Sequence, residues 1–473
     1  MEATEDGRSP AHMMHGNDTP PNRPTLVAST AGTYCCSISE SWDREERVQD
    51  EAQRDSESVE PESGARSAED NEVNYFKSAQ WSADGTSLIT SSADNRIRTF
   101  ILPPTLLDKA TAPLVLSPYT THTIPTPTSC VAVYPHFTLS EATSTIYLSA
   151  PHDLPIRLQN VLTPAPGNTP LATYKLICPT TEAYLQPASL LWVTPGTHFL
   201  TGTDSLIARF DVERSGEGPV TRMPTIPSKR HKMKGGGVGM RGILSTLSLQ
   251  PSESGDGMLA AGSWTRWVGL YDAGGMGGTV ATWSIAGAAD GESGIGGAGV
   301  SQTAWSACGR YLVVAERMSR GVLVFDVRVT GKMVCWLEDR AALTNQRLSV
   351  DVFAGGPDTG VEVWAGGTDG LVRVWENVGM TEGAVQRSWD WSAHDDPVTS
   401  TIVHNSGTVV ATSSGQRAAF TVGDESGSDS ESESESKSDD EGDSDSDSNE
   451  DTQTSDSEDY RRIPDNSIKV WAM

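Results

Sequence analysis

The most basic stretch of the chain, SKRHKMKGGGVGMR at 228–241, sets Lys229, Arg230, Lys232, Lys234 and Arg241 in a Gly-rich segment. Cations clustered in this way neutralise phosphate, although a charge run can equally do no more than solvate a loop. A second group, Asn345, Gln346 and Arg347 in TNQR, stands before the apolar stretch LSVDVF. Side-chain amides and a guanidinium read base edges, and the same groups also close hydrogen-bonded turns. Gln416 and Arg417, at the end of ATSSGQR, repeat the Gln-Arg pair in front of a long acidic tract. The two pairs are expected to converge on one face of the fold. Cations against phosphate and planar groups against splayed bases are the chemistry by which single-stranded RNA is held.

Nothing comparable assembles a catalytic centre. The nine histidines are scattered, with His152, His198 and His404 in expected loops or turns, and none stands in a metal-binding pair or beside a nucleophile by motif. GGGVG at 235–239 lacks the Lys-Ser or Lys-Thr of a phosphate loop. Of six cysteines, Cys35 and Cys36 are adjacent and the others far apart, which is neither a disulfide framework nor zinc-ligand spacing. The expectation is a binding protein with no catalytic residue, metal, cofactor or small-molecule substrate, and with free thiols in a reducing compartment. No apolar run approaches the ~18 residues of a membrane span, and MEATEDGRSP is unlike a secretory signal. A soluble, non-secreted protein with no membrane partner is expected.

The formal charge of −28 would argue against a nucleic-acid partner if it were spread over the fold. It is not. Residues 421–460 hold 17 Asp or Glu against one Lys, and Glu40 to Asp70 hold 12 acids against four bases. The first 39 residues, rich in Pro, Thr and Ser, add four acids and two bases, so the remainder carries only −2. Segments this polar bury too little apolar surface to offset the entropy of ordering. Residues 1–70 are therefore read as a disordered tail and 421–460 as a disordered acidic insertion. Its Ser-Asp and Ser-Glu pairs suit acidophilic kinases. It is open to three readings: a nuclear interaction tail, a gate competing with RNA for the basic loop, or a tolerated insertion at a loop tip.

The elements that must position the candidate residues repeat. A turn residue, usually Asp, precedes a short alternating strand ending in an aromatic: SADNRIRTF (92–100), HDLPIRLQN (152–160), TDSLIARFD (203–211), TDGLVRVWE (368–376) and PDNSIKVW (464–471). WTRWVGLYD (264–272) and MSRGVLVFD (318–326) are degenerate copies, which makes seven. From Asp94 through Asp153, Asp204, Thr265, Ser319 and Asp369 to Asp465 the intervals are 59, 51, 61, 54, 50 and 96 residues. Discounting the acidic tract reduces the last to 56, so the tract interrupts the last repeat. A second signature, Trp then Gly four residues on, recurs at Trp81 and Gly85, Trp192 and Gly196, and Trp305 and Gly309. It marks a hairpin whose Gly makes the turn.

Four short strands per unit of this length are the mark of propeller blades. The fold class is all-β, a seven-bladed WD40 β-propeller at 71–420, closed by a last strand within 461–473. Either that strand closes the ring on itself or an N-terminal strand such as TYCCSIS (33–39) joins it. The Asp register marks are expected to bond their own blades. The repeated aromatics, such as Trp375 and Trp471, are expected in the core.

NYFKSAQWSADGTSLITSSADNRIRTFILPP (74–104), with TNQR and ATSSGQR, resembles the WD domain of the telomerase Cajal body protein 1 family over roughly residues 74–417, as a divergent, fungal-type member. The resemblance implies a nuclear scaffold, in Cajal bodies or nucleoplasm with some cytoplasmic protein. It would bind small nuclear or Cajal body-type RNA, telomerase RNA among them, together with ribonucleoprotein particle proteins and other nuclear proteins. The alternative is a protein–protein adaptor in a splicing-associated or other nuclear complex without direct RNA binding.

Overall fold

The computed structural model describes residues 23–31, 74–108, 112–163, 169–226, 239–252, 256–272, 278–356, 360–416 and 464–473. Most strands follow from alternation bounded by turn residues, and the strands assemble as seven sheets. The first blade is β2 (Phe76–Trp81), β3 (Ser87–Ser92), β4 (Arg96–Ile101) and β6 (Thr120–Thr123). The second is β7 (Thr128–Val133), β8 (Ile146–Pro151), β9 (Ile156–Asn160) and β10 (Ala172–Tyr174). The third comprises β11 (Ser189–Val193), β12 (His198–Thr203), β13 (Leu206–Asp211) and β14 (Thr221–Pro224). The fourth holds β15 (Leu244–Leu249), β16 (Leu259–Ser263), β17 (Trp267–Tyr271) and β18 (Thr279–Ser284).

In the fifth, β19 (Val300–Trp305), β20 (Tyr311–Glu316), β21 (Val322–Asp326) and β22 (Met333–Leu337) are joined by a parallel fifth strand, β26 (Gly383–Val385). The sixth is β23 (Val350–Phe353), β24 (Glu362–Gly366), β25 (Leu371–Trp375) and β27 (Trp389–Ser392). The seventh joins β28 (Val398–Val403), β29 (Val409–Ser414) and β30 (Ile468–Ala472) to β1 (Thr25–Ser29) and β5 (Leu114–Val115). All seven strands read from the register marks are the third strands of their blades.

Strand β1 departs from the reading of residues 1–70 as tail. Thr25–Ser29 pairs antiparallel with β30, Leu26 opposite Trp471 and Ala28 opposite Val470, and its other edge takes β5 in parallel. Ala28 is wholly buried beside Phe76, Leu88, Phe100 and Val470. Five residues of alternating TLVAS suffice because β30 offers them an open ladder. The ring thus recruits an N-terminal strand, but one at 25–29. Residues 1–22 and 32–70, the segment 33–39 among them, and the 421–460 insertion lie outside the described residues.

The apolar core lies between blades. Leu148, Leu158 and Tyr174 of the second blade pack against Trp192, Phe199 and Phe210 of the third, with the two Phe rings stacked 5.0 Å apart. Burying one such ring stabilises by about 2–3 kcal/mol. The Trp-Gly hairpins also carry a bond repeated three times. Trp81 Nε1 donates to the Ile402 carbonyl at 3.1 Å, Trp192 to Ala132 at 3.1 Å and Trp305 to Ser248 at 3.2 Å, each reaching the innermost strand of the preceding blade. Gly85, Gly196 and Gly309 all hold positive φ at the turn.

The register aspartates largely serve their own blades. Asp94 pairs with Arg98, Asp369 with Arg373 and Asp465 with Lys469. In the closing blade Asp465 Oδ2 also contacts His394 Nδ1 at 3.2 Å, His394 Nε2 meets Thr412 Oγ1 at 2.8 Å, and Trp471 Nε1 donates to the same hydroxyl at 2.9 Å. Burial holds His394 below the ordinary histidine range despite the carboxylate. Burial disfavours charge on Asp465, but His394, Ser467 and Lys469 hold its carboxyl well below the usual range.

Two outcomes follow. A lowered histidine pKa contributes stability that is full above its unfolded value near 6.5 and is lost as pH falls below it, whereas Asp465 loses its contribution only below about 3.9. Melting temperature measured from pH 7.5 to 5 therefore falls less steeply for His394→Gln than for the natural chain. Ala28→Asp places an unpaired carboxylate in the closure and costs about 3 kcal/mol or more in urea unfolding. An unchanged midpoint would show that β1 does not close the ring.

Candidate nucleic-acid interface

In a ring of four-stranded meanders, the link from one blade's last strand to the next blade's first, and the turn between second and third strands, emerge on the same face. That face opens into a cavity of about 1130 Å³ at the centre of the ring. Its wall takes Lys77, Gln80 and Cys130 from innermost strands, Thr344–Arg347 and Pro187 from interblade links, and His152, Asp204, Trp264, Arg317 and Gln416 from the turns. Six blades thus contribute to one mouth.

TNQR and Gly415–Gln416 meet there. Gln346 Nε2 donates to the Gly415 carbonyl at 2.8 Å, tying the fifth-to-sixth blade link to the turn of the seventh. Gln346 is therefore engaged as a turn element, and its backbone N–H is held by Thr344 Oγ1 at 3.1 Å. Gln416 Nε2 reaches Asp396 Oδ1 at 3.4 Å. Asn345 is exposed at the rim, and its amide makes no hydrogen bond among the described residues. The link is held from below by Arg340, 2% exposed, whose Nη2 donates to the Leu348 carbonyl at 2.9 Å. Burial pushes Arg340 down to about 10.

Arg347 is not displayed on the surface as a base reader. It lies half-buried in the channel wall, where Nη2 donates at 2.6 Å to the carbonyl of Ser245 in the innermost strand of the fourth blade. Burial lowers its pKa, while the neighbouring Cys130 raises it slightly, and the Cys130 thiol is itself pushed up by burial to about 11. Of the remaining candidates, Arg241 is exposed, two residues before the mouth residue Ile243. Lys229, Arg230, Lys232, Lys234 and Arg417 lie outside the described residues. The ends of the basic segment are nonetheless fixed. Met240 N–H donates to the Thr225 carbonyl at 2.8 Å, and Thr225 N–H to Ser205, next to Asp204 of the cavity wall.

Sequence reasoning missed Trp264 and Arg317. Trp264 is 43% exposed, unlike the core tryptophans, and the Arg317 guanidinium lies over its ring at 4.6 Å. Burial and the charge of Arg347 both depress Arg317, whose Nε is buried without a partner among the described residues. Neither Arg317 nor Arg347 pairs with a carboxylate among those residues. The signal was present: these are the two degenerate repeats, in which Thr265 and Ser319 replace the register Asp. There the place of the Asp-base pair is taken by Arg266, which bonds Glu316 at 2.8 Å and Asp290 at 2.7 Å between blades. Among the described residues no cluster of His, Cys, Asp or Glu is placed to hold a metal ion, and no helix is long and apolar enough to cross a membrane.

Trp264 is held by its backbone, its N–H on the Ile243 carbonyl at 3.0 Å and its own carbonyl against Gly299. Gly299 has φ +133°, and a Cβ there would meet the Trp264 carbonyl at 2.7 Å. Gly299→Ala is expected to lower stability by about 1–3 kcal/mol and to change the near-ultraviolet circular dichroism of the folded protein as Trp264 shifts. An unaltered spectrum would mean that Gly299 does not set this ring.

No protein-family model matches the chain. Over 295 residues it is 28% identical to guanine nucleotide-binding protein negative regulator 1 of Schizosaccharomyces pombe, covering 60% of this chain and 69% of that one. It is 25% identical over 293 residues to telomerase Cajal body protein 1 of Mesocricetus auratus and 26% identical over 289 residues to that of Homo sapiens. The matched parts cover 60% and 59% of this chain, and about half of those relatives, 48% and 46%. The chain is a seven-bladed WD-repeat propeller, a divergent relative similar to telomerase Cajal body protein 1 and to the yeast negative regulator.

Proposed function

We propose that this propeller is a non-enzymatic scaffold that holds small nuclear or Cajal body-type RNA, telomerase RNA being one of that class, at the mouth of its channel, and serves the assembly or localisation of ribonucleoprotein particles in the nucleus. The observation that carries the reading is the chemistry of one mouth: Lys77, Arg317 and Arg347 face a cavity whose lining, among the described residues, holds a single carboxylate, Asp204, with the Asn345 amide unbonded among those residues at its rim. The chain that carries Lys229, Arg230, Lys232 and Lys234 leaves and re-enters the fold beside the same mouth. Cations over phosphate and planar groups at base edges are what a single-stranded loop requires. The similarity to telomerase Cajal body protein 1 supports the same reading. The name of the yeast relative, a regulator of a guanine nucleotide-binding protein, supports the competing reading of a protein adaptor.

Cross-linking and sequencing of RNA bound to the tagged full chain separates the two. Small nuclear or Cajal body-type RNAs are enriched with the natural protein and lost with Arg347→Ala plus Arg417→Ala, at an unchanged melting temperature. Lys232→Gln plus Lys234→Gln lowers affinity for the recovered RNA about tenfold at low salt and flattens its salt dependence. No enrichment over background would move the function to the protein adaptor.

A further inference from the structure

Resting on the RNA-scaffold reading and deepening it, we infer that the channel itself is a nucleotide pocket: it takes one unstacked nucleotide, its base on the Trp264–Arg317 platform and its 5′-phosphate between Arg317 and Arg347. The cavity, about 1130 Å³, exceeds the roughly 300–1,000 Å³ of ordinary small-ligand pockets, so a nucleotide enters without repacking the wall. A tryptophan 43% exposed at a concave mouth is an incomplete stack: Arg317 lies over the ring, and the ring remains substantially accessible. A planar base completes it, and every base has the π-face to do so.

The charges require the second half of the ligand. Arg347 is anchored by its bond to Ser245, and Arg317 is fixed against Trp264. These two cations line one cavity and each feels the other's charge, with no carboxylate on either and no acceptor for the buried Arg317 Nε among the described residues. A phosphate between them neutralises both and accepts from guanidinium forks suited to its geometry. Asp204, in the turn of the third blade and bridged to Ile243 beside Trp264, is the single carboxylate of the lining and pairs with no basic side chain among the described residues. It disfavours a second phosphate on that side and favours a sugar hydroxyl. The pocket therefore takes a nucleoside monophosphate unit and not an extended polyanion.

Isothermal titration of the full chain with the four nucleoside 5′-monophosphates, their nucleosides, ribose 5-phosphate, phosphoserine and inorganic phosphate tests this. The monophosphates bind, nucleosides at least tenfold more weakly, and ribose 5-phosphate more weakly by roughly five- to hundredfold, the span of a base–aromatic stack. Trp264→Leu reduces monophosphate affinity to that of ribose 5-phosphate, Trp264→Tyr restores most of it, and Arg347→Met reduces it to that of the nucleoside, all at preserved melting temperature. Monophosphates that do not bind in the millimolar range, or bind no better than inorganic phosphate, overturn the pocket. Phosphoserine binding as tightly overturns it in favour of a phosphopeptide. The two levels separate cleanly. A protein that captures cellular RNA equally with Trp264→Leu keeps the scaffold and loses the pocket, whereas one that binds monophosphates in this pattern but captures no RNA keeps the pocket and loses the scaffold.

Discussion

Everything in this molecule depends on the closure of the ring, and closure depends on a five-residue strand from one end of the chain lying beside a five-residue strand from the other. A propeller has no independent core inside a blade; its apolar clusters span neighbours, as Tyr174 and Phe199 do between the second and third. An open ring would therefore expose two blade faces at once. The seventh blade prevents this by drawing β1 from residues 25–29, β5 from the connection inside the first blade and β30 from residues 468–472. The buried relay from Asp465 through His394 and Thr412 to Trp471 then fixes β30 against the strand beside it. Because β30 follows the acidic tract, a long insertion separates it from β29 in sequence while the ladder keeps them adjacent. Loop-closure entropy grows only slowly with length, so the ring tolerates this.

Closure also makes the mouth. Each innermost strand is tied to the next around the channel: Gln80 bonds both the carbonyl of Val131 and the N–H of Val133, Gln302 holds both backbone groups of Val350, and Asp351 accepts from Val403. These circumferential bonds set the channel radius. Arg347, in the link into the sixth blade, reaches the Ser245 carbonyl of the fourth blade past the fifth only if that radius is right. The candidate site is thus a property of the whole ring. A mouth assembled from strands, links and turns of six blades is rigid without any one link having to hold it, the usual advantage of carrying exposed residues on a scaffold.

The sequence was most readable where geometry repeats. The seven third strands and the Trp-Gly hairpins stood out because every blade needs the same alternation and the same turn, and the structure places all of them where the period predicts. What escaped was what occurs once. Strand β1 lies among Pro and Thr, five residues with no turn signal of their own, and it is a strand only because β30 presents an edge. Strands β5 and β26 are two- and three-residue additions inside connections, made by parallel pairing that leaves no periodic trace. TNQR and GQR were visible as non-repeating polar islands, yet not which side chain would be tied down: Gln346 is, and Asn345 is not.

Trp264 and Arg317 show why departures from a repeat are informative. In the first, sixth and seventh blades, an Asp and a basic residue four positions on saturate the turn at the mouth, so those turns are structural. The fourth and fifth blades have lost the Asp, and Arg266 with Glu316 and Asp290 takes over the structural duty between blades. Glu316, 3% exposed, also accepts from the Gly299 N–H. That replacement leaves the adjacent residues, Trp264 and Arg317, with no carboxylate to answer and no core to fill. A neutral, self-satisfied turn would have been the easier solution twice more, as it was in three other blades. Two neighbouring blades that instead hold an exposed ring and an unpaired guanidinium over one cavity carry a cost in desolvation that the fold itself does not recover. A ligand with a planar face and a negative charge removes that cost, which is the physical ground on which the proposed pocket rests.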